Sequence, residues 1–246
     1  MTENIVEAKE LSYSYPDGHR ALEKVSFSVA AGESVALAGE NGAGKSTLLQ
    51  HLTGCLLPSS GALRVAGLSV EKRNLPAVRR AVGMLFQNPD DQLFMPTVFE
   101  DVAFGLLNAG VPESGLEPRV MRALETVGAA HLRSRPPYRL SQGEKRAAAI
   151  AGVLALEPEV LVMDEPTSGL DPLSRRRLIG LLGTFPHAKI IATHDLDFAS
   201  EVCSRAIVIH KGRVTGDGPA SDIFRDAALL GRSNLEVPLS VASRRG

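Results

Sequence analysis

Residues 39–47 read Gly-Glu-Asn-Gly-Ala-Gly-Lys-Ser-Thr, which contains the pattern Gly-x4-Gly-Lys-Ser of a phosphate-binding loop. The apolar residues 34–38 before it predict a short buried strand, and residues 46–52 after it predict a helix. Glycines let main-chain N–H groups approach a phosphate without a clashing Cβ, and a helix N-terminus attracts anions. The stretch therefore predicts a site for a nucleoside triphosphate, with Lys45 on the outer phosphates and the Ser46 hydroxyl on Mg2+. A chance glycine turn is the alternative, and the flanking strand and helix argue against it.

The overall composition is that of an ordinary globular protein. It gives no sign of nucleic-acid binding or of a membrane-spanning segment. The 246 residues carry 27 Lys and Arg against 28 Asp and Glu, so the charge balance offers no electrostatic footprint for nucleic acid. Cys55 and Cys203 form no metal or disulfide spacing, which favours a reducing cytosol. The longest run of small apolar residues, 147–156, is too short to span a bilayer. If the protein works at a membrane, another chain must supply the span.

The order of apolar patterns predicts the fold class. Short alternating runs over residues 5–37 predict an antiparallel β layer leading into the nucleotide strand, and residues 61–67 read as one more edge strand. Residues 97–134 repeat apolar positions at helical spacing and predict a mostly helical insertion. Helices and strands then alternate, with helices at 141–156, 172–184 and 196–203 and strands at 159–164 and 188–193. Such alternation predicts a parallel sheet in an α/β core.

The expected architecture is thus a phosphate-loop NTPase core of the α/β class, with a mixed or parallel sheet, an N-terminal antiparallel layer and a helical insertion. Lys211-Gly212 between two apolar runs predicts a hairpin. Residues 233–246 show little periodicity and are expected to form a loose tail. We expect one domain over 1–232, with the helical insertion at about 88–145, followed by the tail at 233–246.

Two carboxylates, Asp164 and Glu165, end the apolar strand at 159–164. Ligands of open α/β sheets bind at the carboxyl ends of strands, so Asp164 is placed to hold Mg2+ directly or through water. Glu165 could polarise a water that attacks the γ-phosphate. A strand end with two solvated acids is the simpler alternative, but the phosphate loop in the same chain favours the functional interpretation.

Other motifs are individually weak. Ser141 with Glu144 three residues later forms a capping box, which alone would explain both residues, although a helix N-terminus with Ser141 and Gly143 also suits a phosphate. His194 follows a strand and Gln87 follows another, and neither is distinctive by itself. Residues 168–172 are locally a turn into a helix with a proline at a permitted position.

Taken in order, residues 39–47, Gln87, 140–144, 160–165, 168–171 and His194 resemble the motifs of the ATPase subunit of an ABC transporter. The resemblance covers about residues 5–225. It implies an ATPase that binds ATP and Mg2+, with Glu165 as general base, His194 on the γ-phosphate, and Gln87 on Mg2+ and the attacking water. It also implies a head-to-tail dimer that sandwiches two ATP molecules, with Asp171 at the interface.

The resemblance also implies the nucleotide-binding set. Tyr15 would stack on adenine, with Tyr13 as the fallback, and Ser46, Gln87 and Asp164 would hold Mg2+. The residues expected around the nucleotide are Tyr15, Gly39, Asn41, Gly42, Ala43, Gly44, Lys45, Ser46 and Thr47, with Ser141 and Gly143 from the opposite copy. One departure is that the family pattern Leu-Ser-Gly-Gly-Gln is Leu-Ser-Gln-Gly-Glu here, at 140–144. Ser141 and Gly143 remain, so hydrolysis is still expected.

A finer resemblance lies in residues 87–94 and 97–105, which are similar to the ATPase of energy-coupling-factor importers, particularly the cobalt and nickel group. It implies that Gln92, Leu93 and Phe94 dock on a transmembrane coupling subunit. The expected partners are a second copy of the ATPase, that coupling subunit and a substrate-binding membrane subunit, without nucleic acid, at the cytoplasmic face of the membrane. A solvated acidic turn followed by a buried Leu-Phe pair is the alternative for this segment.

Three functions are therefore compared: an importer motor, a soluble ABC-type ATPase acting on nucleic acid or the ribosome, and a phosphate-loop kinase for a small molecule. The second class usually carries two cassettes or a long coiled coil, and this chain has one cassette, no heptad array and no basic patch. The third class lacks the element at 141–144. The importer motor is the leading hypothesis.

Overall fold

The computed structural model describes residues 4–242 and folds them around two β-sheets. The strands are β1 (Asn4–Ser14), β2 (Arg20–Ala30), β3 (Ser34–Ala38), β4 (Ser60–Val65), β5 (Leu68–Ser69), β6 (Val82–Leu85), β7 (Val160–Asp164), β8 (Ala188–Thr193), β9 (Arg205–His210) and β10 (Arg213–Pro219). The helices are α1 (Lys45–Leu52), α2 (Leu75–Ala81), α3 (Val98–Asn108), α4 (Leu116–Thr126), α5 (Gln142–Leu154), α6 (Pro172–Thr184), α7 (Leu196–Val202), α8 (Ala220–Ile223), α9 (Ala227–Arg232) and α10 (Leu239–Ala242).

The larger sheet has the order β10-β9-β3-β8-β7-β6, in which β9 and β10 pair antiparallel and the other neighbours pair parallel. Its central strands are mostly apolar because helices or the second sheet cover both faces, and every residue of β8 is buried. The predicted parallel α/β core is therefore confirmed. β3 leads directly into the phosphate loop and α1, and the carboxyl end of β7 carries the two acids.

The smaller sheet is antiparallel, with the order β2-β1-β4-β5, and confirms the predicted β layer. The strand expected at residues 61–67 is present as β4, but its expected position at the edge of the sheet is wrong. Ala66 and Gly67 both adopt left-handed φ angles, 49° and 74°, and turn the chain back on itself. Leu68–Ser69 then pairs with Arg64 and Val65, so β4 lies inside the sheet.

Helices α3, α4 and α5 pack together beside the larger sheet, which confirms the helical character expected of residues 97–134. Their buried faces join one apolar core with α6 and α7, whereas a second core lies between the two sheets around α1. Among residues 4–242 we find no helix long and apolar enough to cross a membrane.

The expectation of a loose tail is wrong for residues 233–242; residues 243–246 lie outside the described range. Ser233 is buried, and Asn234 Nδ2 donates to the Glu40 carboxylate at 2.7 Å, next to the phosphate loop. The main-chain N–H groups of Leu239 and Ser240 donate to the Asp197 carboxylate in α7. The segment is therefore anchored at two points by hydrogen bonds that a sequence pattern does not reveal.

Candidate functional site

The phosphate loop ends in a helix whose first N–H groups have no side-chain cap. Gly44 is the N-cap of α1 with φ 108°, and Gly42 has φ 80°, both angles that an L side chain rarely adopts. A Cβ on Gly44 would also lie 2.6 Å from the Ala21 carbonyl oxygen. The uncapped N–H groups and the helix dipole at this end can receive an anion.

Lys45, the first residue of α1, supplies a cation at this helix end. Its side chain is 6% exposed, and its ammonium donates to the carbonyl oxygens of Gly39 at 2.6 Å and Glu40 at 3.0 Å. Burial lowers the Lys45 pKa, and the carboxylates of Glu165, Asp164 and Glu40 act in the opposite direction. A buried ammonium held by two neutral carbonyls is suited to bind the outer phosphates of a nucleotide.

One cavity of about 250 Å³ brings most of the predicted residues together. Its lining residues are Tyr15, His19, Ala21, Asn41, Gly42, Gly44, Lys45, Ser46, Thr47, Gln87, Asp164, Glu165 and His194. Gly39 and Ala43 do not line it: Gly39 packs against the Ile209 carbonyl, and Ala43 is buried with its carbonyl accepting from Gly212. These two residues shape the loop from behind. His19 and Ala21 were missed, because no motif marks the residues that follow the Pro16-Asp17-Gly18 turn.

Glu165 is held firmly at the cavity wall. It is 6% exposed; its Oε2 accepts from the Thr193 hydroxyl at 2.9 Å, and its Oε1 accepts from the His194 main-chain N–H at 3.0 Å. The His194 Nδ1 lies 2.8 Å from the same Oε1 and donates to the carboxylate. The other imidazole nitrogen is then left for a ligand. Thr193 also escaped sequence reasoning, although it directly precedes His194.

The residues expected to hold Mg2+ fit a hard cation. Ser46, Asp164 and Gln87 supply hydroxyl, carboxylate and amide oxygens to the same cavity, which is the donor chemistry that Mg2+ prefers. Burial raises the Asp164 pKa, while a hydrogen bond from Ser46 and the charge of Lys45 hold it down. Within residues 4–242 no side chain forms an ion pair with Asp164. A partly buried carboxylate with no cation in direct ion-pair contact is suited to a bound cation.

The aromatic side of the cavity distinguishes the two candidate tyrosines. Tyr15 lines the cavity, stacks over His19 with ring centroids 6.4 Å apart, and shares a 3.0 Å hydrogen bond with the Thr47 hydroxyl. Tyr13 packs edge-on against the buried His51 at 4.8 Å and belongs to the core between the sheets. Tyr15 is therefore the ring available to a base.

Ser141 and Gly143 lie away from this cavity. Ser141 caps α5, and Glu144 accepts from both its main-chain N–H and its hydroxyl, which confirms the capping box. With Asp171, both residues line a second, open cavity of about 780 Å³. Asp171 itself caps α6 by accepting from Leu173 and Ser174 N–H groups. A contact between Ser141 or Gly143 and a nucleotide in the phosphate loop would thus need a second copy of the chain.

The segment expected to contact a partner is only partly exposed. Leu93 is buried in the core, which corrects its expected role as a contact residue. Gln92 is occupied within the chain: its side chain donates to the Ala149 carbonyl and accepts from Phe86 N–H. Phe94 is 63% exposed and meets Phe104 of α3 edge-on at 5.0 Å. The alternative of a buried Leu-Phe pair is likewise wrong for Phe94.

Two further apolar side chains extend this exposed surface. Phe104 and Leu107 lie one turn apart on α3 and are 38% and 48% exposed. We name Phe94, Phe104 and Leu107 the aromatic patch. The signal that could have identified it is that α3 carries apolar residues on its outer face as well as on its buried one.

The sequence and the fold of this chain are similar to those of known ABC transporter ATP-binding proteins. Residues 22–168 match the profile of the ABC transporter family. A Geobacter sulfurreducens protein provisionally named an ABC transporter ATP-binding protein is 57% identical over 241 residues, covering 98% of this chain and 97% of that protein. The energy-coupling factor transporter ATP-binding protein EcfA of Methanothermobacter thermautotrophicus is 46% identical over 239 residues, covering 95% and 77%. The structure of cbiO1 from Clostridium perfringens, described as part of the ABC transporter complex cbiONQ, matches with a TM-score of 0.84 and 37% identity, covering 99% of this chain and all of that one.

Proposed function

Because this chain belongs to the ABC transporter family of ATP-binding, ATP-hydrolysing subunits, we propose that it is the motor of an energy-coupling-factor importer. The observation that carries the ATPase part is the single cavity in which the phosphate loop, Asp164, Glu165, Gln87 and His194 meet. The importer part is supported by the likeness to EcfA and cbiO1 over almost the whole chain. We propose one ATPase domain over 1–232, with the helical insertion at about 88–145 and a C-terminal segment at 233–246.

We propose the following division of labour at the phosphates. The uncapped N–H groups of α1 and the Lys45 ammonium bind the phosphate oxygens. Glu165 is the general base, since its buried carboxylate borders the cavity and can accept a proton from an attacking water. Thr193 and His194 fix the orientation of that carboxylate, and the free imidazole nitrogen of His194 reaches towards the γ-phosphate.

We propose that Ser46 and Asp164 hold Mg2+, with Gln87 joining them. When bound, the ion would neutralise negative charge on the phosphate groups. The chain's own contribution is orientation: the Ser46 hydroxyl is hydrogen-bonded to Asp164, and both residues line the nucleotide cavity.

We propose that two copies of the chain assemble head to tail. Ser141, Gly143 and Asp171 share the second cavity, which lies apart from the phosphate loop of the same copy. In the dimer, Ser141 and Gly143 would contact the γ-phosphate of ATP held by the partner, and Asp171 would lie at the interface. ATP binding would close the dimer, and hydrolysis with product release would open it.

The aromatic patch is the proposed docking surface for the transmembrane coupling subunit. Phe94, Phe104 and Leu107 expose apolar surface that has no role in the nucleotide cavity, and exposed aromatic residues are enriched at protein interfaces. A substrate-binding membrane subunit would complete the complex at the cytoplasmic face of the membrane. Cobalt or nickel ions are the proposed cargo, which would pass through the membrane subunits.

The experiment that tests the importer role is a pull-down of this chain from its native cells in mild detergent, followed by identification of the bound proteins. We expect several polytopic membrane proteins. Recovery of soluble proteins or nucleic acid instead would contradict the importer role and favour a soluble ATPase that uses the same cassette. The cargo is tested separately, by ATP-dependent uptake of radiolabelled Co2+ and Ni2+ into vesicles that contain the recovered complex.

A further inference from the structure

Arg146, in the second turn of α5, is a buried cation with no acidic partner among residues 4–242. Its side chain is 2% exposed, and burial lowers its pKa. The two terminal guanidinium nitrogens donate to the main-chain carbonyl oxygens of Phe86 and Gln87, each at 2.6 Å. The Nε atom is buried and has no hydrogen-bond partner among the described residues. The guanidinium therefore holds two consecutive main-chain carbonyls, directly after β6, by hydrogen bonds.

This arrangement is costly for stability alone. A guanidinium taken out of water loses hydration that neutral carbonyls replace only in part, and an apolar side chain of similar volume would avoid that loss. The Arg146 guanidinium instead fixes the local backbone conformation, because its two parallel N–H groups set the direction of both carbonyls at once. The carbonyl of Gln87 is one of the two, and the side chain of the same residue lines the nucleotide cavity.

Other bonds join the same short segment to the same helix. Lys145 Nζ forms a 2.6 Å ion pair with Asp90, and the Gln92 amide donates to the Ala149 carbonyl at 3.3 Å. Residues 86–92 are thus attached to the first turns of α5 after they leave the parallel sheet. Arg146 is the buried member of this set and the one that touches the residue lining the nucleotide cavity.

We propose that Arg146 is a positioning residue for hydrolysis, which sets the place of the Gln87 side chain in the cavity through the Gln87 main-chain carbonyl. The inference rests on the proposed role of Gln87 beside Mg2+ and the attacking water. It assigns Arg146 to turnover and not to nucleotide binding in the phosphate loop of the same copy, since the guanidinium donates to the carbonyls of Phe86 and Gln87 and does not line that cavity. A displaced Gln87 would leave ATP bound but poorly oriented for attack.

The test is a double-mutant cycle in the full-length protein with R146M, Q87A and the pair. We expect R146M to lower kcat roughly tenfold to a hundredfold, as small misplacements near a reacting group do. The Kd for a fluorescent ATP analogue without Mg2+ should stay within about twofold of the wild-type value, since a twofold change is well under 1 kcal/mol. In the Q87A background, R146M should cause no further loss, because residues that act through one another are not additive.

The conservative variant and a matched control complete the design. R146K keeps a donor for the carbonyls and should recover part of the lost kcat, whereas R119M removes an exposed guanidinium from α4 and should leave kcat unchanged. If R146M fails to fold, R146Q, which retains one amide donor, takes its place in the cycle.

Three outcomes would overturn the inference. The first is a double mutant whose loss of kcat equals the product of the two single losses. The others are a weaker Kd for the ATP analogue that accounts for the whole effect of R146M, or an R146M variant with normal kcat. If Q87A itself turns over normally, the proposed role of Gln87 fails as well. If R146M turns over normally while Q87A is slow, the positioning role of Arg146 is contradicted and the role of Gln87 is retained.

Discussion

The conformation of Glu165 sets it apart from its neighbours in β7. It has φ 43°, in the left-handed region that non-glycine residues seldom occupy, and its main-chain N–H donates to Ala192 in β8. Strained backbone is retained where the surroundings determine it, and here Thr193 and His194 hold the carboxylate from the adjacent strand. A parallel sheet thereby places an acid from one strand end against donors from the next.

Glu165→Gln should separate binding from hydrolysis. The amide keeps the size of the side chain but cannot take a proton from water, so ATP hydrolysis should fall by roughly 10²- to 10⁴-fold. Nucleotide affinity should change little, since Lys45 and α1 carry the phosphate contacts. Steady-state phosphate release measures the hydrolysis rate, and an equilibrium nucleotide titration measures the affinity. Glu159→Gln, an exposed acid just before β7, is the control, and normal turnover in E165Q would remove Glu165 from the general-base role.

Tyr15→Ala should weaken nucleotide binding, because a base stacked on an aromatic ring contributes about 1–3 kcal/mol. Tyr15→Phe keeps the ring and loses the hydrogen bond to Thr47, so it should bind nucleotide almost normally. Tyr13→Ala is the matched comparison, since that ring packs on His51 and its loss should lower the free energy of unfolding. Equal affinities of Y15A and wild type in an equilibrium titration would rule out stacking by Tyr15.

At the scale of elements, α5 illustrates how one sequence motif serves two purposes. Ser141 and Glu144 satisfy each other's main-chain N–H groups at the helix N-terminus, and the same turn forms the wall of the second cavity. Sequence alone could not decide between a cap and a ligand contact. In the structure the capping box is complete, and the Ser141 hydroxyl donates to Glu144 at 2.9 Å. A phosphate contact would have to share or replace that bond.

The capping box should make stability depend on pH. Donation by the Ser141 N–H and hydroxyl holds the Glu144 pKa below its usual value near 4.5. Since the folded-state pKa is lowered, the stabilisation is present above that usual value and is lost as the pH falls through the folded-state pKa. We expect wild type to exceed Glu144→Gln by about 0.3–1 kcal/mol in unfolding free energy near neutral pH, the contribution of a charge at a helix N-terminus. Urea unfolding at a series of pH values measures the difference, and a constant gap would contradict it.

Elements with strong periodicity or sharp end signals were predictable, and those that depend on distant partners were not. The bounds of α6 and β8 match the predicted 172–184 and 188–193, because Asp171-Pro172 starts the helix and Thr193 ends a fully buried strand. In contrast, β5 exists through pairing with β4, and the segment at 233–242 is fixed by Glu40 and Asp197. The residues on motifs were likewise predictable, whereas Thr193, His19 and Arg146 act through contacts across the fold.

At the scale of the whole molecule, the two cavities divide the proposed ATP site between copies. In each chain the phosphate loop lines one cavity and the Ser141–Gly143 turn lines another. With ATP trapped by Glu165→Gln, two copies should remain joined, so light scattering should give a dimer with ATP and a monomer without it. A monomer under both conditions would contradict the sandwich arrangement. The wild type under hydrolysing conditions is the comparison.

The aromatic patch should matter to assembly and not to nucleotide binding. Phe94→Ser together with Phe104→Ser removes its aromatic surface, and we expect membrane subunits to be lost from the mild-detergent pull-down. ATP affinity should be unaffected, because neither residue lines the nucleotide cavity. Leu239→Ser removes an apolar side chain that is 79% exposed elsewhere and is the control. Full recovery of membrane subunits with the double variant would place the docking surface elsewhere.

The packed C-terminal segment has a practical consequence for anyone who handles this protein. Asn234 touches Glu40 beside the phosphate loop, and a short turn of helix farther on is fastened to the helix that follows His194. A purification tag or fluorescent fusion joined after this segment would strain both sets of hydrogen bonds. Nucleotide affinities should therefore be compared between N-terminally and C-terminally tagged preparations before either is used as a reference for a variant.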